Sequence, residues 1–346
     1  MTLSVGVIGT GSIGTDHVRR LAAQVAGSRV AAVFDVAAER AAEVAAAAGA
    51  TAHRRAGDVI ADPDVDAVVI ASPGGTHAGL VLDCLAAGKP VLCEKPLAET
   101  AADALAVVRA EAELGRRLVQ VGFMRRYDPG YVQLKSTVDS GAVGEPLLLH
   151  CVHRNASAPP GFTSEMSLTD SVVHEIDAGR WLLGAEFAAV TVIAVRPSPL
   201  AGPGIRDPQL VLLETAAGVV VEVESFVNAR YGYEVRCEVV GSTGTAALDT
   251  PATGAVTLAG ARSTPVPADW RQRFAEAYHR ELQDWVDGLA AGRVTGPTAW
   301  DGYAAAAVAE ACVSSLHSGV RTGVELASPP ALYGPALGGP PLGGSA

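Results

Sequence analysis

The sequence predicts an α/β domain followed by an α+β domain, the first built on a doubly wound parallel sheet and the second on a large open sheet that is mostly antiparallel. Three observations predict it. Apolar runs alternate with helix-period segments through the first third of the chain. A glycine-spaced turn, "GTGSIG" at 9–14, joins the first apolar run to the first helical segment. After residue 122 the alternation stops, and strand-like runs follow one another with little helix between them.

Taken in order, "LSVGVIG" (3–9) and "RVAAVFD" (29–35) are the first two strands, each followed by a helix, "IGTDHVRRLAAQV" (13–25) and "AAERAAEVAAAA" (37–48). "DAVVIAS" (66–72), "PVLCEKP" (90–96) and "RLVQVGF" (117–123) continue the sheet, with helices near 76–87 and 100–114. Their apolar residues are consecutive, as a sheet covered by helices on both faces requires. In the second part "PLLLHCVHR" (146–154), "AVTVIAVR" (189–196), "QLVLLET" (209–215), "VVVEVESFVN" (219–228), "YEVRCEVVG" (233–241) and "GTAALD" (244–249) are strands, spaced closely enough for antiparallel pairing. Two amphipathic helices, at 270–292 and 300–319, come near the end, and the Pro/Gly-rich tail from Ser328 is expected to be disordered. The expected domains are therefore 1–122, 123–327 and a tail of 328–346.

Size and charge narrow the function. A chain of 346 residues with 49% hydrophobic and 18% charged residues can bury large cores. Its net charge of −11 argues against nucleic acid and anionic membranes as partners, since phosphate-rich surfaces need basic patches. The five cysteines include no CxxC pair, which fits a reducing compartment rather than a zinc site or disulfide framework. "MTLSVGVIGTG" shows no basic n-region or cleavage site, and no apolar run reaches membrane-spanning length without Gly or a charge. A cytoplasmic protein is expected.

"GTGSIG" fits G-x-G-x-x-G between a strand and a helix, the phosphate-binding turn of a Rossmann domain. Gly9 makes the tight turn, Gly11 lets backbone approach a pyrophosphate, and Gly14 lets helix and strand pack closely. The helix N-terminus, with Ser12 and Ile13, supplies amide donors. Asp35 ends the second strand 21 residues past Gly14, where a carboxylate accepts from an adenosine ribose and repels a 2′-phosphate. NAD is therefore expected rather than NADP, with Arg40 a turn further on to soften the preference. Ser72 and Glu94, at the ends of later strands, complete the candidate cofactor contacts. "VLCEKPLA" (91–98) delivers Glu94 and Lys95 to the ligand-facing edge of the sheet. Pro96 makes the bond before it a candidate cis peptide, although base rates favour trans.

"TDSVVHEID" (169–177) spaces Asp170, His174 and Asp177 by four and three, so an α-helix would gather them on one face. Metal ligands, an acid–base pair and a solvated polar stripe would all give such a face.

Together, "GTGSIGTDHVRRL", "ASPGGTHAGLVLDCLAAGKPVLCEKPLA", "QVGFMRRYDPGY" and "TDSVVHEID" resemble the Gfo/Idh/MocA oxidoreductases over residues 1 to about 325. "GFMRRYDPGY", "HRN" (153–155) and "YGYEVRCEVVGSTGTA" (231–246) narrow the resemblance to the inositol branch of that family. The resemblance implies NAD-dependent oxidation of a secondary hydroxyl of a cyclitol such as myo-inositol, with another pyranose sugar, or glycosidic cleavage through transient use of NAD, as the alternatives. It implies a catalytic group of Lys95, Asp170 and His174, and a substrate pocket with Met124, Arg125, His153, Asn155, Ser171 and Tyr233. It also implies a homo-oligomer, often a tetramer in the family. The chain departs from the family pattern at "SEMSLTD", where a glycine pair is common ahead of the Asp-x-x-x-His segment.

Chemistry selects among the three readings of the helix. No HExxH or tight His/Cys cluster accompanies it, so no metal is expected. Val172, Val173 and Ile176 are poor company for a solvated stripe. Acid–base work remains: an imidazole changes charge near neutral pH and takes the alcohol proton, which falls to His174. Asp170 would orient the ring, and Lys95 would hydrogen-bond the reacting oxygen. Asp177 supports the site or accepts from a substrate hydroxyl. Glu175, off that face, is read as a solvated charge, and His17, His77 and His279 as packing or surface residues.

Overall fold

The computed structural model describes residues 2–249 and 254–334. Two compact units emerge, and neither is continuous in sequence. One holds the chain up to Met124, Tyr278–Ala307 and residues 327–334; the other holds Arg125–Ala277 and Val308–Leu326.

The first unit runs β1 (Leu3–Ile8), α1 (Ser12–Ala23), β2 (Ser28–Phe34), α2 (Ala38–Ala48), β3 (Thr51–Ala52), α3 (Ala56–Ala61), β4 (Ala67–Ile70), α4 (His77–Ala86), β5 (Val91–Glu94), α5 (Ala101–Glu113) and β6 (Val119–Gly122). The strands lie in the order β3-β2-β1-β4-β5-β6, and every pairing is parallel. This is the doubly wound sheet expected from the apolar runs. Residues of β4, β5 and β6 are buried throughout, because helices cover both faces. Strand order reverses between β1 and β4, so the glycine turn after β1 stands at the switch point where such sheets bind ligands. The short β3 and α3 had no clear signal in the sequence.

The second unit begins with α6 (Pro129–Asp139), which the sequence reading missed although Asp128 caps it and Pro129 opens it. β7 (Pro146–Arg154) follows, then a π-helical turn (Ser167–Val172) that runs into α7 (Val173–Leu183). β8 (Phe187–Ala194), β9 (Gln209–Thr215), β10 (Val220–Phe226), β11 (Glu234–Gly241) and β12 (Thr245–Ala247) complete the sheet with β15 (Thr322–Gly323), after the small hairpin β13 (Val256–Leu258) and β14 (Ala261–Ser263). The order is β12-β11-β7-β10-β9-β8-β15; among the described residues only β7–β10 is parallel. Burial alternates along β9 and β10, with one face buried and the other half-exposed.

The expected helix at 270–292 breaks at Phe274 into α8 (Trp270–Arg273) and α9 (Ala275–Ala290). Most of α9 packs in the first unit and not the second. Leu282, Trp285 and Val286 join Val5, Val7, Leu21 and Leu92 in one core, and Trp285 is fully buried. α10 (Ala299–Ser318) is buried around nearly all of its first three turns, so the expected amphipathic pattern does not hold there.

The tail also differs from expectation. Ala331–Tyr333 forms a 3₁₀ turn, and the Tyr333 hydroxyl donates to the Glu111 carboxylate at 2.6 Å. The disorder expected for 335–346 lies outside the described residues. Among the described residues no helix is long and apolar enough to cross a membrane.

Candidate active site

The glycine turn has the shape a dinucleotide needs. Gly9 adopts φ +92°, and a Cβ there would meet Ser72 N at 2.5 Å and Ala71 O at 2.6 Å. A Cβ on Gly14 would lie 1.9 Å from Gly9 O. In contrast, a Cβ on Gly11 would meet nothing within 4 Å, so open space fronts the backbone where a pyrophosphate would approach. The first hydrogen bond of α1 runs from Thr15 N to Gly11 O, so the amides of Ser12, Ile13 and Gly14 have no partner within the helix. These residues fit NAD.

Asp35, just past β2, is tied down. Its carboxylate accepts from Thr10 N at 2.7 Å, Ala37 N at 2.8 Å and Arg40 Nη2 at 2.6 Å. Burial pushes the carboxyl up, but these amides and the guanidinium outweigh it and hold it at about 2. A carboxylate this acidic stays ionised and acceptor-only, as a ribose diol requires and a 2′-phosphate does not tolerate. Arg40 is engaged with Asp35 itself.

Glu94, 5% exposed, takes its hydrogen bond from His17: Nε2 is 2.7 Å from Oε1. His77 is buried too, its ring nitrogens each 2.7 Å from a carbonyl, Ser72 O and Pro96 O. Both histidines therefore pack, and His77 ties the segment after β4 to the one after β5. Ser72 Oγ is 2.6 Å from Thr76 Oγ1. Lys95 follows β5, half-buried, its amide donating to Glu94 Oε2 at 3.3 Å. The Lys95–Pro96 bond is cis, against the base-rate expectation of trans.

In the second unit, Asp170 and Ser171 sit on the π-helical turn and His174 on α7. The single α-helical face expected for Asp170, His174 and Asp177 therefore applies only from Val173 onward. His174 is 8% exposed, and its ring centroid is 6.2 Å from that of His153 on β7. Tyr233 meets His153 edge-on at 5.8 Å, and burial pushes its phenol up to about 12. Asn155 lies half-buried two residues past His153, its backbone pinned by Asn155 N to Phe226 O and Ala229 N to Asn155 O. Asp177 is 1% exposed and receives Arg126 in a bidentate pair, with Nε at 3.0 Å and Nη2 at 2.5 Å. Both of its oxygens are thus occupied by that arginine.

Glu175 is the main correction. Expected as a solvated charge, it is 1% exposed and paired with both Arg125 and His153. α7 has no solvent face over 173–180, so every polar residue on it must find a partner inside. The signal was present in "VVHEIDAGRW", whose apolar residues are spread around the whole helix and leave no face for solvent. Arg125, also 1% exposed, has its Nη1 on Glu175 and at 3.3 Å from the Tyr131 hydroxyl. The second unit thus gathers Glu175, His174 and Tyr233 around His153, with Arg125 paired to Glu175. Met124, fully buried, belongs with Lys95 to the first unit. Among the described residues no cluster of three or more His, Cys, Asp or Glu side chains is placed to hold a metal.

Known proteins match along nearly the whole chain. The model of an oxidoreductase family with an NAD-binding Rossmann fold, Gfo/Idh/MocA, matches residues 3–123, and the model of its C-terminal α/β domain matches 135–326. "Inositol 2-dehydrogenase 1" of Saccharopolyspora erythraea is 56% identical over 336 residues, covering 96% of this chain and 100% of the relative. An inositol 2-dehydrogenase of Streptomyces avermitilis is 54% identical, covering 96% and 97%. The crystal structure of a myo-inositol dehydrogenase from Lactobacillus casei, in complex with NAD(H) and myo-inositol, superposes with a TM-score of 0.93 at 37% identity, over 96% of this chain and all of that one. With the glycine turn at the switch point of a doubly wound sheet and family models matched over residues 3–123 and 135–326, the chain belongs to the Gfo/Idh/MocA family and is an NAD-dependent oxidoreductase.

Proposed function

We propose that the protein oxidises one secondary hydroxyl of myo-inositol, or of a close cyclitol, to the ketone. The observation that carries this reading is the buried polar cluster on His153, where Glu175 and Arg125 meet its Nδ1 and the His174 ring lies 6.2 Å away. A polyol offers many hydroxyls and little apolar area, so its site must be polar and fully paired. The full-length similarity to proteins named inositol 2-dehydrogenases supports the same substrate class.

His174 takes the hydroxyl proton, and Asp170 orients its ring and stabilises the imidazolium that forms. Lys95 donates to the reacting oxygen and lowers the alcohol's pKa. NAD, when bound on Gly9, Gly11, Ser12, Ile13, Gly14 and Asp35, with Ser72 and Glu94 at the neighbouring strand ends, supplies the hydride acceptor. Met124, His153, Asn155, Ser171 and Tyr233 surround the remaining hydroxyls, and Arg125 acts on them through the groups it pairs with.

The test is purified protein with a polyol panel and NAD or NADP, read as absorbance of the reduced nucleotide. Turnover on myo-inositol far above that on open-chain alcohols is expected; equal rates on both overturn the proposal. Asp35→Ser is expected to raise KM for NAD about 10- to 100-fold, the scale of a lost charge-assisted hydrogen bond, and to raise that for NADP less. An unchanged NAD-to-NADP ratio refutes the ribose assignment.

A homotetramer and a cytoplasmic location belong to the same reading. Opposite its buried face, the second sheet leaves Leu148, Val152, Leu210, Leu212 and Val220 half-exposed, a surface suited to a second copy's sheet. Light scattering on the eluted protein reads the mass directly. All five cysteines are free, as in a reducing compartment.

A further inference from the structure

Glu175 sits beside the candidate base in sequence but turns away from it, toward β7. Its Oε2 is 3.0 Å from His153 Nδ1, while its Oε1 receives Arg125 Nη1. Arg125 Nη2 lies 3.3 Å from the same His153 Nδ1. Arg125 and Glu175 are 1% exposed and His153 is 3% exposed. The other ring nitrogen of His153, Nε2, has no hydrogen-bond partner among the described residues. The His174 ring is 6.2 Å away, so a small molecule that reaches one imidazole reaches the other.

Two arrangements of His153 compete. Either Nδ1 carries a proton and donates to Glu175, or Nδ1 is bare and accepts from Arg125. Burial pushes the Glu175 carboxyl up, but the Arg125 charge, together with His153 and the hydrogen bonds both make, outweighs it and holds the group below the ordinary range. Glu175 is therefore an ionised, acceptor-only partner. A bare Nδ1 would point a lone pair at that carboxylate from 3.0 Å, for the return of one longer contact of 3.3 Å. The shorter, charge-assisted bond wins.

We propose that Glu175 is a positioning residue that fixes His153 as the Nδ1–H tautomer, so that His153 Nε2 meets the substrate as a hydrogen-bond acceptor. This rests on the reading that the substrate is a cyclitol. It adds a selection rule: the hydroxyl facing His153 must donate. A deoxy or O-methyl analogue at that carbon leaves a buried acceptor unpaired and binds worse.

Neutron diffraction from deuterated wild-type crystals reads the tautomer without substrate or turnover. Deuterium on Nδ1 and none on Nε2 is expected; deuterium on Nε2, alone or with Nδ1, overturns the proposal. Glu175→Gln provides the functional arm. With Gln Oε1 held by Arg125, its amide nitrogen faces His153 Nδ1 and forces the opposite tautomer. KM for myo-inositol is expected to rise about 10- to 100-fold, with KM for NAD unchanged and kcat falling less. Glu175→Asp, which keeps a carboxylate acceptor, is expected to recover part of the myo-inositol KM. A wild-type KM in Glu175→Gln overturns the positioning role. Should that variant not fold, the wild-type neutron map decides alone. Absence of turnover on every polyol would instead sink the functional reading, and the neutron map would still decide the tautomer.

Discussion

His174→Ala is expected to lower kcat on myo-inositol roughly 10²- to 10⁴-fold, the range a positioned general base contributes. NAD affinity, read by calorimetric titration, is expected to hold, because the glycine turn and Asp35 that fit the dinucleotide belong to the first unit and His174 to the second. The loss should be sharpest at neutral pH and shrink in alkaline solution, where hydroxide competes for the proton the ring no longer takes. On the proposed reading Asp170 acts through the ring, so Asp170→Asn combined with His174→Ala should be no slower than His174→Ala alone. Two losses that multiply would show that Asp170 acts on the substrate independently. Near-normal turnover in His174→Ala would remove the imidazole as base altogether.

Much of the fold was legible in the sequence because it follows from local periodicity. Strands buried on both faces need consecutive apolar residues, which "DAVVIAS" and "RLVQVGF" supply, and Gly9, Gly11 and Gly14 each answer a separate steric demand that the structure repeats. The open sheet was legible from the close spacing of strand-like runs such as 209–215 and 219–228. What periodicity does not carry is the identity of a buried face's neighbour. The apolar stripe of α9 says that something covers Trp285, not that the covering core is that of a sheet closed more than 150 residues earlier. The π-helical turn at 167–172 escaped because a wide turn leaves the spacing of Asp170 and His174 unchanged in sequence while altering it in space. Glu175 was misread for the same reason. A helical-wheel argument assumes a wet side, and α7 has none.

The buried Arg125–Glu175 pair should reveal itself in stability. Both side chains are about fully excluded from solvent, so each charge is tolerated only because the other is present. Removing one partner leaves an uncompensated charge among Tyr131, Tyr233 and Phe274. Arg125→Met and Glu175→Gln are each expected to cost about 3–5 kcal/mol. In a unit of this size that is a fall of roughly 6–20 °C in Tm, at about 2–4 °C per kcal/mol. The double variant removes both charges, and with them the carboxylate that fixes His153 Nδ1–H. Two neutral groups of similar volume avoid the desolvation penalty, so the double should melt above at least one single variant. Calorimetry on all four proteins closes the cycle. Strictly additive losses would mean that the two charges are not energetically coupled, and that burial of Glu175 has another cause. A double that recovers stability while keeping a raised KM for myo-inositol would show that the ion pair is retained for the orientation of His153 and not for the fold, since the same sheet and helix then stand without it.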